Sequence, residues 1–429
     1  MNFYKNAFVA ILILFQTGFY TQIIAQSSTS SPYSHYGIGD LSVISNSRTR
    51  AMGSIGFAMR SYYNIFPQNP ASYSSFDTLS FVFDGGMQAN FSTLQTGLIT
   101  ADASNAGLSY LYFGFPVTPW LRTSFGAMPY SSIGYKVYDE ITDPFLGRIR
   151  NVYEGDGGVN LFYLGNAFRI SKNFSAGFNA YYLSGKLQKS RILSYPDSTY
   201  ILNTRVKDIT YIGDLNFSAG LQYYTNVGKN TQLTLGLVYG HSKSLNAKKE
   251  TLVETLLGGI GGGYEAYKDT ISYETGIKGN VKLPLTLGGG FSIEKADNWL
   301  IGADFEYGFW EDFLIFSKAD SLKNSYRISA GFEFTPNNTS ISKYWQKIKY
   351  RGGFKFNKTY LDLKNNQIND FGITFGVGLP LKRLATTINM GAEIGSRGTL
   401  ENDLIKDSYF RLFLGISITE RWFIKRKYD

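Results

Sequence analysis

The sequence predicts an all-β chain: a 14-stranded antiparallel transmembrane β-barrel with an N-terminal plug, or hatch, in its lumen. Three observations predict it. Segments of about 10–17 residues alternate apolar with polar or small side chains, and turn signals separate them. The composition is rich in Tyr, Phe and Gly, with 32, 33 and 46 residues against 11 Pro. The chain also opens on an export signal.

Residues 1–25 read as a signal peptide. Lys5 supplies the positive start, Ala7 to Phe15 the apolar core, and cleavage after Ala25 is expected. That core is short for a spanning helix, and beyond it no run of about 20 apolar residues follows. The membrane must then be crossed by strands.

Composition excludes several classes. An aromatic content of 16% argues against a disordered chain. With no Cys and two His, disulfides and thiolate or histidine metal sites are not expected. No cofactor is implied. A net charge of +9 could serve nucleic acid, but the charges are scattered and no binding module accompanies them. A mild excess of Lys and Arg also suits contact with anionic lipid headgroups.

Residues 26–77 show little strand periodicity. They are rich in Pro, Ser, Tyr and Asn, and Met52, Ile55, Phe57, Ile65 and Phe66 suit burial. The segment is expected to fill the lumen of a barrel spanning residues 78–423. A basic tail, 424–429, follows.

The C-terminal third carries the clearest alternation. In 326–334 the even positions are Tyr326, Ile328, Ala330, Phe332 and Phe334, opposite Arg327, Ser329, Gly331 and Glu333. In 371–379 the apolar set is Phe371, Ile373, Phe375, Val377 and Leu379. Segments 299–309, 386–394 and 410–418 repeat the pattern. A period of two places each set on its own face. Large aromatics on one face, and glycine with charge on the other, suit apolar-out strands around a wet or plugged lumen.

Strands are expected near 78–92, 106–117, 121–137, 154–171, 173–189, 209–226 and 230–246. The others lie near 272–295, 298–314, 323–335, 347–363, 366–380, 384–398 and 407–421. Connections alternate between tight turns and long loops, the longest being 190–208 and 247–271. That asymmetry places both termini in the periplasm, and an even count lets the barrel close. Pro284 interrupts 272–295, which is read as one strand with an irregular outer half.

Catalytic patterns are not evident. His241 and Ser242 are adjacent, so they point to opposite faces, and His241 shares the apolar face of Leu233, Leu235, Leu237 and Tyr239. His35 sits among Tyr33 and Tyr36, where packing is expected. The glycine run 258–263 lacks the following Lys-Ser/Thr of a phosphate loop. An enzyme is not expected. Asp304, Glu306, Arg327, Glu333, Arg351, Lys355, Glu393 and Arg411 share the polar face and are expected in the lumen, pairing across it and holding the plug or lining a substrate path.

The run Arg50-Ala51-Met52-Gly53-Ser54-Ile55-Gly56, then Tyr63-Asn64 and Asn69-Pro70-Ala71, resembles the hatch of the FadL-type long-chain fatty-acid transporters. Leu283-Pro284, Asp297-Asn298-Trp299 and Ala303-Asp304 are also similar to that family. The stretches Tyr350-Arg351-Gly352-Gly353, Gln367-Ile368-Asn369, Phe375 to Pro380 and Trp422-Phe423 resemble its Bacteroidetes branch, which includes PorV-like proteins. The resemblance implies fourteen strands, an outer-membrane location and a hatch whose motif here is Gly53, Gly56, Asn69, Pro70 and Ala71.

It implies passive uptake of a hydrophobic small molecule, released sideways through a break in the wall. Pro284, Gly288, Gly289 and Gly290 are candidates for that break. The branch resemblance implies an alternative, a non-transporting subunit of an outer-membrane protein machine such as a secretion translocon or barrel-insertion complex. There the partners would be proteins and the basic tail a docking element.

Overall fold

A computed structural model describes residues 29–421 apart from 98, 199, 258–265, 321, 339–342 and 382–384. The expected signal peptide, the glycine run and the basic tail lie outside the described residues.

Among the described residues, nineteen strands form one sheet. They are β1 (Asp40–Leu41), β2 (Ser80–Gln95), β3 (Thr100–Pro116), β4 (Leu121–Asp143), β5 (Gly147–Arg169), β6 (Phe174–Ser194), β7 (Asn203–Gly228), β8 (Thr231–Gly240), β9 (Ser244–Leu257) and β10 (Ala266–Lys282). There follow β11 (Thr286–Lys295), β12 (Trp299–Gly308), β13 (Leu314–Ile315), β14 (Lys318–Ala319), β15 (Ser325–Phe334), β16 (Lys349–Leu363), β17 (Asn366–Pro380), β18 (Ala385–Arg397) and β19 (Lys406–Arg421).

The wall has fourteen strand positions, because β8 with β9 fills one and β10 with β11 the next. Every neighbour is antiparallel. Pairing of β19 with β2, from Arg421↔Ser80 to Lys406↔Gln95, closes the ring. Closure leaves neither β2 nor β19 with a free edge at that seam, the condition for placing their backbone in hydrocarbon.

The two faces follow the sequence period. On β12 and β15, the pairs Ile301↔Phe332, Ala303↔Ala330 and Phe305↔Ile328 stand on one face, and Ile301, Phe305, Ile328 and Phe332 are exposed. The alternate positions, such as Asp304, Ser329 and Glu333, are buried. A face this apolar and this exposed belongs against lipid. Cross-strand aromatic pairs knit it, as with Phe113 and Phe125, whose rings stack at 5.0 Å.

The structure corrects the expected loops. Residues 247–271 and 190–208 are largely strand, since β9 and β10 form a hairpin and β6 and β7 leave only 195–202 between them. Strands β4 and β5 likewise run on to Asp143 and from Gly147. These extensions escaped the pattern for a physical reason. Beyond the lipid both faces can meet water, so nothing imposes apolar alternation: β10 is exposed at every position from Ala266 to Lys278.

The wall is interrupted at two places. First, β3 and β4 pair only from Pro116↔Arg122 to Leu111↔Ala127. Beyond that point β3 stays with β2 and β4 stays with β5, so the two diverge as a wedge. A bulge between Pro129 and Ser131 marks the departure, as expected where proline cannot donate to a ladder. Second, regular pairing lapses at one level across four neighbours: 213–217 after the β9-paired part of β7, 241–243 between β8 and β9, 283–285 between β10 and β11, and 309–313 after β12. Pro284 therefore divides two collinear strands, where the sequence suggested one irregular strand.

Candidate functional site

The N-terminal segment lies within this ring. It enters with a 3-10 turn, Pro32–His35, and β1 then pairs with β4 through Asp40↔Ser132 and Leu41↔Ser131. It thus bonds to the edge that β4 withholds from β3. A single helical turn, Ser47–Arg50, begins at Asn46, whose side chain accepts from Thr49 N at 2.9 Å. Asn46 Nδ2 also donates to Asp84 of β2 at 3.0 Å. The cap is fixed to the wall as well as to its own helix.

Residues of this segment then meet the wall one by one. Gly53 has φ +68° and donates its N–H to Thr374 Oγ1 at 2.9 Å. A Cβ on Gly53 would lie 2.4 Å from the Phe354 carbonyl oxygen, so backbone meets backbone there. Gly56 N and Phe57 N both donate to Asp304 Oδ2, at 2.6 and 3.0 Å. Asn69 Nδ2 donates to the carbonyls of Phe57 and Leu221 at 2.7 and 3.1 Å, while its Oδ1 accepts from Ala71 N. Pro70 and Ala71 begin a buried 3-10 turn, Pro70–Ser75. Met52, Ile55, Met59, Phe66 and Leu300 form a dry cluster beneath.

The eight charges expected on the polar face all lie there, and three groupings emerge. Glu333 takes Arg48 Nη2 at 2.9 Å and Arg351 Nε at 2.6 Å, with Arg351 Nη1 reaching Asn389 at 2.7 Å. Glu393 takes Lys355 at 2.5 Å and Arg411 at 3.2 Å. Arg327 donates to Glu306 at 2.7 Å. Asp304 stands apart, holding backbone rather than a cation. Buried carboxylates that each gain two or more donors offset their desolvation.

Other members were missed in the sequence. Arg48 lay in a stretch with no periodicity to place it. Asp84 could have been found, because Val82, Asp84, Gly86 and Gln88 alternate with Phe81, Phe83 and Met87. Arg60 donates to Gln222 at 2.8 Å and stacks on Tyr224. Arg397 joins Asp40 to Asp407 at 2.9 and 3.4 Å.

Above the Arg48–Glu333 layer lies a cavity of about 410 Å³. Arg50, Gln88, Lys355, Glu393 and Arg411 line its polar side, and Tyr130, Leu161 and Phe413 its apolar side. Arg50 makes its hydrogen bonds to Gln88, Ser109 and Ser45. The cavity reaches Asn105 on the β3 edge of the wedge. On the opposite flank it reaches Phe217, His241, Pro284 and Leu287. The glycines expected to break the wall do not interrupt it themselves: Gly288, Gly289 and Gly290 sit in ladders with both β8 and β12. Gly288 instead makes room for the Phe57 ring.

The two histidines occupy unlike settings. His241 is on the outer face beside Tyr239 Oη at 3.2 Å. His35 Nδ1 meets Tyr135 Oη at 2.8 Å.

Solved structures share this architecture. The Ralstonia pickettii toluene transporter TbuX superposes with a TM-score of 0.58 at 14% identity, over 89% of this chain and 99% of that one. The Pseudomonas putida toluene transporter TodX gives 0.58 at 16%, over 90% and 100%. A Pseudomonas aeruginosa FadL homologue gives 0.58 at 10%, over 90% and 100%. At these identities the likeness concerns the fold, that of FadL-type outer-membrane barrels. No curated protein matches the sequence. The BamG family model matches residues 4–429, and the chain belongs to that family.

Proposed function

We propose that the protein sits in the outer membrane, short turns and termini toward the periplasm, and admits hydrophobic small molecules passively. Its N-terminal segment acts as the plug. The observation that carries this is the β3–β4 wedge beside a cavity whose base is closed. A molecule in the cavity finds the Arg48–Glu333–Arg351 layer and the Met52–Phe66 cluster below it. Sideways it finds two strands whose ladder pairing ends at Leu111↔Ala127. An apolar solute gains about 25 cal/mol per Å² on leaving water for lipid, so release through the wall is favourable. The hydrocarbons named for TbuX and TodX are of this class.

A second reading, a non-transporting subunit of an outer-membrane protein machine, draws on one observation. Within residues 45–76 the exposed side chains are Tyr62 and Tyr63, at 57% and 52%, on a segment otherwise tucked inside the ring. Exposed paired tyrosines suit a protein contact.

Extraction in mild detergent followed by mass spectrometry separates the two. Retained hydrophobic small molecules, with none retained by a variant that fills the wedge, support uptake. Stoichiometric proteins lost on Tyr62→Ser/Tyr63→Ser, with no small molecule retained, overturn it.

A further inference from the structure

The second interruption does more than bend the wall. At its level the ladder between β7 and its neighbour stops at Ile212↔Ala247 and resumes at Ser218↔Gly240. Side chains fill the gap. Asp214 accepts from Lys243 Nζ at 2.9 Å, from Asn246 N at 3.0 Å and from Asn246 Nδ2 at 2.8 Å. Lys243 Nζ also donates to the Leu215 carbonyl at 2.6 Å, and Asn216 Nδ2 to that of His241 at 3.2 Å. One backbone bond remains at the edge of the gap, His241 N to the Phe217 carbonyl at 3.0 Å; across 213–216 the ladder is replaced by a clasp centred on one carboxylate. Across the next gap, Leu283 N bonds Lys243 O at 2.8 Å and Ser242 Oγ bonds Leu283 O at 2.9 Å, while Pro284 has no N–H to give.

The surroundings tell what the gap faces. Phe217, Tyr239 and Leu287 are exposed on the outer face at this level, as lipid-facing residues are. The cavity is nonetheless lined by Phe217, His241 and Leu287 together with the inward-facing Ser218 and Thr286. Residues from both faces of one sheet therefore line the cavity here, and it reaches into the gap.

We propose that this seam is a second lateral opening, held shut by the Asp214 clasp, through which small apolar molecules pass between the cavity and the bilayer boundary. It rests on the uptake reading but uses a different part of the wall from the β3–β4 wedge. A salt-bridged clasp suits the task. Its few directional bonds can break singly, whereas a ladder yields only as a unit, and a broken ladder in lipid leaves every backbone group unsatisfied.

The chain has no cysteine, so single cysteines report cleanly. The full-length protein, folded in liposomes, would carry Thr286→Cys at the seam, Asn105→Cys at the wedge, or Ser329→Cys on a continuous ladder as a blank. Each is exposed to a maleimide that partitions into the bilayer. Thr286→Cys is expected to react at least tenfold faster than Ser329→Cys. Asp214→Ala should raise the Thr286→Cys rate severalfold and leave Asn105→Cys unchanged. Asp214→Asn, which keeps the acceptor to Asn246 but weakens the hold on Lys243, should fall between. Heat-modifiable gel mobility confirms that each variant is folded.

Equal rates at Thr286→Cys and Ser329→Cys, or indifference to both Asp214 variants, overturns the second opening. If Asn105→Cys still reacts rapidly in that case, the wedge and the uptake reading stand. If neither cysteine reacts, both fall.

Discussion

Arg48 and Glu333, 285 residues apart in sequence, meet in a two-point pair: Nη2 to Oε1 at 2.9 Å and Nε to Oε2 at 3.0 Å. Arg351 Nε shares Oε2 at 2.6 Å. One wall carboxylate therefore fixes both the segment inside the ring and the neighbouring strand.

Removing that carboxylate should cost more than removing one cation. Glu333→Ala leaves two buried guanidiniums without their counterion, and breaking a buried pair typically costs about 3–5 kcal/mol. Arg48→Ala leaves Glu333 with Arg351 and should cost less. The thermal midpoint of the heat-modifiable band, compared among the three proteins, checks the order.

Gly53→Ala should dislodge the segment without unfolding the barrel. It combines a left-handed backbone with a Cβ placed 2.4 Å from a carbonyl oxygen. Limited proteolysis should then cut between residues 45 and 76 while the barrel keeps its gel shift. Gly107→Ala, whose Cβ would meet nothing within 4 Å, is the neutral comparison.

The same free space at Gly107 makes a test of the wedge. Gly107 pairs with Gln88, a cavity-lining residue, so both point inward. Gly107→Trp should fill the edge of the opening and lower liposome uptake of an apolar tracer by about tenfold, a barrier change of about 1.4 kcal/mol. Stability should hold. Undiminished uptake would remove the wedge from the route.

Acid should loosen the start of the segment. Burial holds the His35 imidazole below its ordinary value of 6.5, and neighbouring Lys189 adds to this, against the opposing pull of Asp320. With a depressed pKa in the fold, the stabilisation is present above 6.5 and lost as pH falls through the lower folded value. Hydrogen exchange of residues 31–41, corrected for its intrinsic pH dependence, should therefore rise on acidification. His35→Asn should flatten that response.

Much of the barrel was legible because lipid imposes a simple rule. Ile328, Phe332 and Phe375 must face outward, and Ser329, Glu333 and Thr374 must then face in. The eight lumen charges followed from parity alone. Where water reaches both faces, as at Tyr267 to Ile271, the rule lapses and the start of β10 read as loop. The break at Pro284 was foreseeable, since proline takes a donor from the ladder. The β3–β4 wedge was not, although Pro129 stood inside an expected strand. What separates two strands is the N-terminal β1 bonding in place of β3, a contact between residues about ninety apart. Arg48 and Arg50 were hidden likewise, because a segment shaped by its container carries no period of its own.

The closing seam has a consequence for biogenesis. Ser47 N donates to Tyr110 Oη at 2.9 Å, Asn46 holds Asp84, and Asn64 holds Ser417, so the segment touches β3, β2 and β19 where the first and last strands zip together. At its other end Asn69 and Ala71 grip β7 and β6. Seating these bonds inside a finished ring would require all of these strands to admit the segment at once. Were the segment housed before the last seam shuts, a chain lacking residues 45–76 should reach the membrane yet keep the gel mobility of an unclosed barrel.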